Sequence, residues 1–137
     1  MKKLLIALAL FTGLSANKCK NEAGGGITNL MDTKWVFQTL GGEAVTMPEG
    51  VDQPWLQMAG DQLQGFGGCN NLMGSVALEG SKLSFPGLGS TKKYCEGIQP
   101  AENAIKQALG QVDSFKMDGG LLKLLGGGKE LAALKGI

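Results

Sequence analysis

The most informative part of the sequence lies between residues 65 and 96. It begins with Gly65-Phe-Gly-Gly-Cys-Asn-Asn-Leu-Met-Gly74 and ends with Gly89-Ser-Thr-Lys-Lys-Tyr-Cys-Glu96. Gly67 and Gly68 can adopt positive φ angles without a Cβ clash, and asparagines such as Asn70 tolerate them better than most residues. The beginning of the stretch therefore predicts an ordered corner after a strand, whereas Cys95 falls in a polar loop just before a predicted helix.

Short apolar runs separated by glycine-rich turns extend along the chain on both sides of this corner, which is typical of a protein built from strands and turns. About eight runs are predicted as strands, at residues 33–40, 53–58, 62–66, 73–78, 82–85, 112–117, 121–125 and 129–134. In the first strand Trp35 and Phe37 share one face. In the third, Leu63 and Phe66 do so only if a bulge forms at Gly65. The last run would also suit a helix by propensity, but the three-glycine turn before it favours a hairpin strand.

One helix is predicted over residues 99–110. Pro100 suits its first turn, and Gly110 is a residue that commonly ends a helix. An apolar stripe recurs at helical spacing and consists of Ala101, Ile105, Ala108 and Leu109. The expected fold class is therefore α+β and mainly β, a small antiparallel barrel-like sheet with one helix packed on it.

The composition excludes several classes of function. A chain of 137 residues allows one domain, and a net charge of +1 gives no electrostatic footprint for nucleic acid. The chain contains neither histidine nor arginine. The common Ser-His-Asp and Cys-His mechanisms, histidine metal sites and bidentate phosphate clamps are therefore excluded. We expect no enzyme, no metal and no cofactor.

The first 18 residues have the three-part form of a secretory signal peptide. Residues 1–3 are basic at two positions, residues 4–11 are apolar, and residues 12–16 are small and mixed. The apolar run is too short to cross a hydrocarbon core of about 30 Å. We therefore predict a signal peptide over residues 1–18, a flexible leader over residues 19–31 and one domain over residues 32–137.

Cys19 is a candidate lipidation site. Lipoprotein signals have small residues immediately before the cysteine, whereas Asn17 and Lys18 stand there in this chain. Lipidation would, however, remove the odd thiol among three cysteines. The expected location is the periplasm or, with a lipid, the outer membrane, and contact with a membrane is expected only through the signal peptide or a lipid anchor.

Cys69 and Cys95 have several possible roles: a structural disulfide, a redox or metal-binding pair, or two separate thiols. Export would place them in an oxidising compartment, where pairing is expected. Their spacing is not the Cys-x-x-Cys arrangement that tunes a redox potential. The structural disulfide is therefore favoured.

A bonded pair would join the corner to the loop before the helix and form one rigid surface. We predict that a ligand or partner contacts this surface, and the candidate binding residues are Asn70, Thr91, Lys92 and Tyr94. Lys92-Lys93-Tyr94 can be interpreted as an anion site on which Tyr94 stacks, or as a solvated loop face, which is the commoner case.

Two further pairs of residues have alternative interpretations. Glu96 and Glu102 flank the helix start as an acid/base pair would, but helix capping and the helix dipole account for Glu102 without chemistry. Trp35 and Trp55 could line a pocket, but aromatic residues of a small domain usually belong to its core.

The chain resembles the META domain family, which includes the heat-inducible HslJ-type proteins of bacteria. The resemblance covers residues from about Asp32 to the C-terminus. It rests on Gly68-Cys69-Asn70, Gly74, Thr91 to Cys95 and Glu102, together with Trp35-Val36-Phe37, Leu40-Gly41 and Leu121-Leu122-Lys123-Leu124.

The resemblance implies an exported bacterial cell-envelope protein with a non-enzymatic role in the stress response or in envelope integrity, and it implies no defined reaction. The alternative is a binding module for a small molecule, a peptide or a protein partner. We expect a monomer whose partner is an envelope protein or a small ligand.

Overall fold

The computed structural model describes residues 30–137. The predicted signal peptide, the candidate lipidation site Cys19 and most of the predicted leader lie outside the described residues. The described residues form eleven strands and one helix. Their bounds are β1 Lys34–Leu40, β2 Glu43–Ala44, β3 Trp55–Ala59, β4 Gln62–Phe66, β5 Asn71–Ser75, β6 Ala77–Glu79, β7 Lys82–Ser84, β8 Gly89–Ser90, α1 Gln99–Gln111, β9 Ser114–Asp118, β10 Leu121–Gly126 and β11 Lys129–Gly136.

All the strands belong to one curled antiparallel sheet, which confirms the expected fold class. The strand order is β6-β7-β9-β10-β11-β1-β3-β4-β5-β8, and β2 pairs with β1 beside this path. The last strand, β11, pairs with both β1 and β10, so the hairpin prediction for the C-terminal run is confirmed.

The structure has more strands than the sequence predicts because three features depend on tertiary contacts. The predicted strand at residues 73–78 is two strands, because β5 pairs with β4 and β8 whereas β6 pairs with β7, so the chain changes partners at Val76. The other two additions, β2 and β8, are two-residue pairings formed inside loops. Such short segments carry no periodic pattern of their own.

Side chains alternate across the sheet, and the inner face packs against the helix in one core. Trp35 and Phe37 both point inward, as predicted. The predicted bulge at Gly65 is wrong, because β4 pairs in unbroken register with β3 and with β5. Leu63 and Gly65 therefore face the core, whereas Phe66 lies on the outer face opposite Trp55.

The helix α1 docks through Ile105 and Leu109, which are both buried in the core. Pro100 lies in its first turn, as predicted. The prediction that Gly110 ends the helix is wrong, because α1 continues to Gln111 and the chain leaves it at Val112 in an extended conformation. No helix among residues 30–137 is long and apolar enough to cross a membrane.

The folded domain begins before Asp32. Leu30 is completely buried in the core cluster, and Met31 packs against it. The carbonyl oxygen of Leu30 also accepts a hydrogen bond from Trp35 Nε1 at 3.0 Å. Both residues, which the sequence interpretation assigned to the leader, are thus part of the domain.

Candidate functional site

A disulfide joins the glycine-rich corner to the loop before the helix. The Sγ atoms of Cys69 and Cys95 are 1.99 Å apart and the two Cα atoms 5.8 Å apart, which confirms the favoured interpretation of these cysteines. Cys69 lies between β4 and β5, and Cys95 lies a few residues before α1. The bond closes a loop across a sequence separation of 26 residues, and chain-entropy arguments give such a closure about 3.5 kcal/mol of stability.

The carboxylate of Glu102 lies at the centre of the corner. Its side chain comes from the first turn of α1 and is completely buried. One oxygen, Oε2, accepts hydrogen bonds from the backbone N–H of Cys69 at 2.9 Å and from the backbone N–H of Asn70. The other, Oε1, accepts from Asn70 Nδ2 at 2.7 Å and lies 3.9 Å from Lys106 Nζ. The carboxylate therefore satisfies donors of the corner that would otherwise be buried without a partner.

Opposing effects act on the pKa of Glu102. Burial, the largest single effect, raises the pKa because it disfavours the charged form. The hydrogen bonds from Asn70 and Cys69 and the charge of Lys106 lower it, and together they outweigh burial. The pKa of Glu102 is consequently below its ordinary value, so the group stays ionised at neutral pH.

The side chain of Asn70 fixes the loop that carries Cys95. Its Oδ1 accepts from the backbone N–H of Lys93 at 2.7 Å, and its Nδ2 donates to the Lys93 carbonyl at 2.8 Å. The hydroxyl of Thr91 donates to the same Oδ1 at 2.9 Å and accepts from the N–H of Asn71 at 3.1 Å. The side chain of Asn70 thus binds both backbone polar groups of Lys93, as a residue of a neighbouring strand would.

Two glycines are required where this network is most compact. A Cβ atom on Gly67 would lie 2.7 Å from Glu102 Cγ and 2.9 Å from Glu102 Oε2. Gly68 has φ of 110°, and a Cβ there would lie 2.9 Å from Ile98 Cγ2. Any larger residue at Gly67 would push the carboxylate away from the donors that it binds, because real Cβ contacts are not this short.

The corner and the loop together form a shallow depression of about 210 Å³. We call it the corner depression, and its lining residues are Asn70, Thr91, Lys92, Lys93, Tyr94, Gln99 and Lys106. All four candidate binding residues from the sequence are therefore brought together. Thr91, Lys92 and Tyr94 are exposed, with 75% of Tyr94 accessible. Asn70 is only 2% exposed, so it supports the surface and does not present a free amide.

The other candidates from the sequence lie apart from this depression or have a different role. Glu96 is exposed whereas Glu102 is buried, so the two do not share an environment. Trp35 belongs to the core, and Trp55 lies on the outer face with Lys34 Nζ 4.8 Å from its ring centre. Within residues 30–137 no cluster of three or more metal-ligating side chains occurs.

Sequence reasoning missed the role of Glu102. The sequence interpretation attributed the residue to capping and to the dipole of its own helix, but its carboxylate binds the corner, more than thirty residues away in the chain. The available signal was the combination of a tight glycine-rich turn, whose N–H groups need acceptors, with an acidic residue in the first turn of a helix that a disulfide brings near.

These features define a small disulfide-bonded, mainly β domain in which the buried carboxylate of Glu102 binds the backbone of the glycine-rich corner. The sequence profile of the META domain matches residues 28–136, and the chain belongs to the META domain family.

Solved structures agree with this assignment. An NMR structure of a protein from Burkholderia xenovorans is 28% identical, with a TM-score of 0.63 over 80% of this chain and 85% of the other. A second NMR structure is 20% identical, with a TM-score of 0.62 over 77% of this chain and 91% of the other, and shows the shared fold. A search of curated proteins found no match.

Proposed function

We propose that this protein is an exported, non-enzymatic protein of the bacterial envelope that binds a partner or ligand at the corner depression and acts in envelope integrity or the stress response. The observation that carries the proposal is that the disulfide and the Asn70 and Glu102 hydrogen bonds fix the surface from within. A surface that is ordered before its ligand arrives loses less conformational entropy on binding. Binding sites are commonly found on loops that a rigid scaffold holds in this way.

Two observations support export. The N-terminal residues follow the basic, apolar and small pattern of a secretory signal. The disulfide is of the kind that persists in oxidising compartments and is rare in the cytosol. Intact-mass measurement of the protein from cells tests this part. We expect the loss of about 16–18 residues, with a lipid adduct if Cys19 is modified, whereas a mass for all 137 residues would contradict export.

The non-enzymatic part of the proposal is supported by the chemistry of the corner. The carboxylate of Glu102 has no exposed surface, and both its oxygens are occupied by donors of the protein itself. It is therefore poorly placed to transfer a proton to a substrate.

Capture from envelope extracts tests the binding surface. The tagged, exported protein is compared with Tyr94→Ala, which removes a 75% exposed side chain from the depression, and with Met73→Ala, which removes a 48% exposed side chain from the outer face of β5. We expect Tyr94→Ala to capture no partner and Met73→Ala to capture it as the wild type does, with melting temperatures within a few degrees of the wild type. If Tyr94→Ala still captures the partner, the corner has a structural role only and does not bind.

A further inference from the structure

The corner depression is lined by cations and by no acid. Three of its lining residues are lysines, namely Lys92, Lys93 and Lys106. Within residues 30–137, Lys92 and Lys93 have no carboxylate partner, whereas Lys106 lies 3.9 Å from the buried carboxylate of Glu102. Two lysine charges are therefore not neutralised by the protein, and a depression with this charge favours an anion.

The backbone from which these two lysines extend is held in place. Asn70 forms hydrogen bonds with both the backbone N–H and the backbone carbonyl of Lys93, and Thr91 is bonded to Asn70 and Asn71. Lys92 therefore lies between two anchored residues. The lysine side chains are flexible, but the backbone from which they extend is already ordered. Less conformational entropy is therefore lost when the two ammonium groups bind one ligand.

The size of the depression and its remaining groups indicate what accompanies the anion. A volume of about 210 Å³ is below the roughly 300–1,000 Å³ of pockets for drug-sized ligands. The exposed Tyr94 offers an aromatic face with a hydroxyl, and Gln99 Nε2 has no acceptor among residues 30–137. An apolar face next to hydrogen-bonding groups suits a small ring that carries hydroxyls.

We propose that the corner depression binds a phosphorylated sugar, as a free sugar phosphate or as a unit of an envelope glycan. A phosphate monoester carries about −1.5 to −2 charge near pH 7, which matches the two unpaired lysines, and lysine binds phosphate as a point charge without the fork of arginine. The sugar ring lies against Tyr94 and within reach of Gln99. This inference rests on the proposed function, since it names the ligand of the same surface.

Titration of the oxidised, exported protein by NMR tests the inference with three probes, glucose 6-phosphate, glucose and inorganic phosphate. We expect shift changes at residues 91–94 and at Gln99, with glucose 6-phosphate binding at least tenfold more tightly than inorganic phosphate and glucose not binding. Lys92→Gln/Lys93→Gln should weaken glucose 6-phosphate at least tenfold. Tyr94→Ala should weaken glucose 6-phosphate but leave inorganic phosphate unchanged.

The matched control is Lys116→Gln/Lys129→Gln, which removes the same charge from exposed positions on β9 and β11 and should change affinity less than twofold. An equal loss of affinity in this control, equal binding of inorganic phosphate, or no binding of glucose 6-phosphate would overturn the inference.

Failure of this inference can be distinguished from failure of the proposed function. A protein that captures an envelope partner through Tyr94 but ignores glucose 6-phosphate would keep the function and lose this ligand. To separate the two sources of ligand, a phosphorylated glycan fragment is titrated beside the free sugar phosphate, and the tighter binder identifies the source.

Discussion

At the scale of the residue, the corner depends on one carboxylate surrounded by donors. Every protein group that reaches the oxygens of Glu102 donates a hydrogen bond or carries a positive charge. No neutral side chain can replace it, because an amide has only one acceptor atom.

Glu102→Gln should therefore destabilise the fold by about 2–4 kcal/mol, since whichever way the amide turns, its NH₂ group faces a buried donor. Urea unfolding of the oxidised protein measures the change. The control is Glu96→Gln, the same substitution at an exposed glutamate, which should stay within about 0.5 kcal/mol of the wild type. Equal effects of the two substitutions would mean that the Glu102 network does not stabilise the protein.

The lowered pKa of Glu102 also predicts a pH dependence. A carboxyl whose pKa is lower in the folded state contributes stability that is fully present above its unfolded value, here near 4.5, and that is lost as the pH falls through the folded value. The difference in the free energy of unfolding between the wild type and Glu102→Gln should thus be constant above about pH 5.5. It should shrink as the pH falls below the unfolded pKa of about 4.5. A difference that stays unchanged down to pH 2 would contradict the ionised state of Glu102.

Two glycines allow a test of packing with the same substitution. Gly67→Ala places a methyl group against Glu102 and should destabilise by about 1–3 kcal/mol. Gly110→Ala lies in the helix, where nothing is within 4 Å of the added Cβ, and should stabilise by up to about 1 kcal/mol. Thermal melts give both signs, and a neutral Gly67→Ala would show that the corner is looser than the structure indicates.

At the scale of the element, sequence periodicity predicted the long strands and the helix because burial on one face fixes their pattern. Trp35 and Phe37 alternate with outward residues in β1, and Ile105 and Leu109 are one helical turn apart. The pattern gave the wrong orientation for Phe66, since an apolar residue on the outer face is indistinguishable by composition from one in the core. The corner was predicted as an ordered turn, but its contact with Glu102 spans 33 residues and local patterns do not reveal such a contact.

Because α1 docks on the sheet through one face, a substitution on its buried face should destabilise the protein far more than one on its exposed face. Ile105→Asp would put an unpaired charge where the exposed fraction is 0% and should destabilise by more than about 3 kcal/mol. Asn103→Asp, on the exposed face, should change stability by less than about 0.5 kcal/mol. Lys106→Asp is unsuitable as the control because Lys106 lies beside Glu102. Similar unfolding midpoints for Ile105→Asp and Asn103→Asp would mean that the helix docks through another face.

At the scale of the whole molecule, the curled sheet and the helix bring two loops together that are far apart in sequence. The disulfide and the hydrogen bonds of Asn70 join the corner to the loop at residues 91–95, and the hydrogen bonds of Glu102 join the corner to α1. Two independent kinds of link, one covalent and one polar, therefore act on the same surface. We infer that this surface is rigid in the free protein.

Native-state hydrogen exchange of the oxidised protein, measured residue by residue by NMR, tests whether the corner is rigid. The backbone amides of Cys69, Asn70 and Lys93 donate to buried groups of the network. They should be protected to within about tenfold of core amides such as those of β10 and β11, although they lie in loops. If the three amides exchanged as fast as that of the exposed loop residue Gly50, the corner would be mobile in the free protein and not rigid.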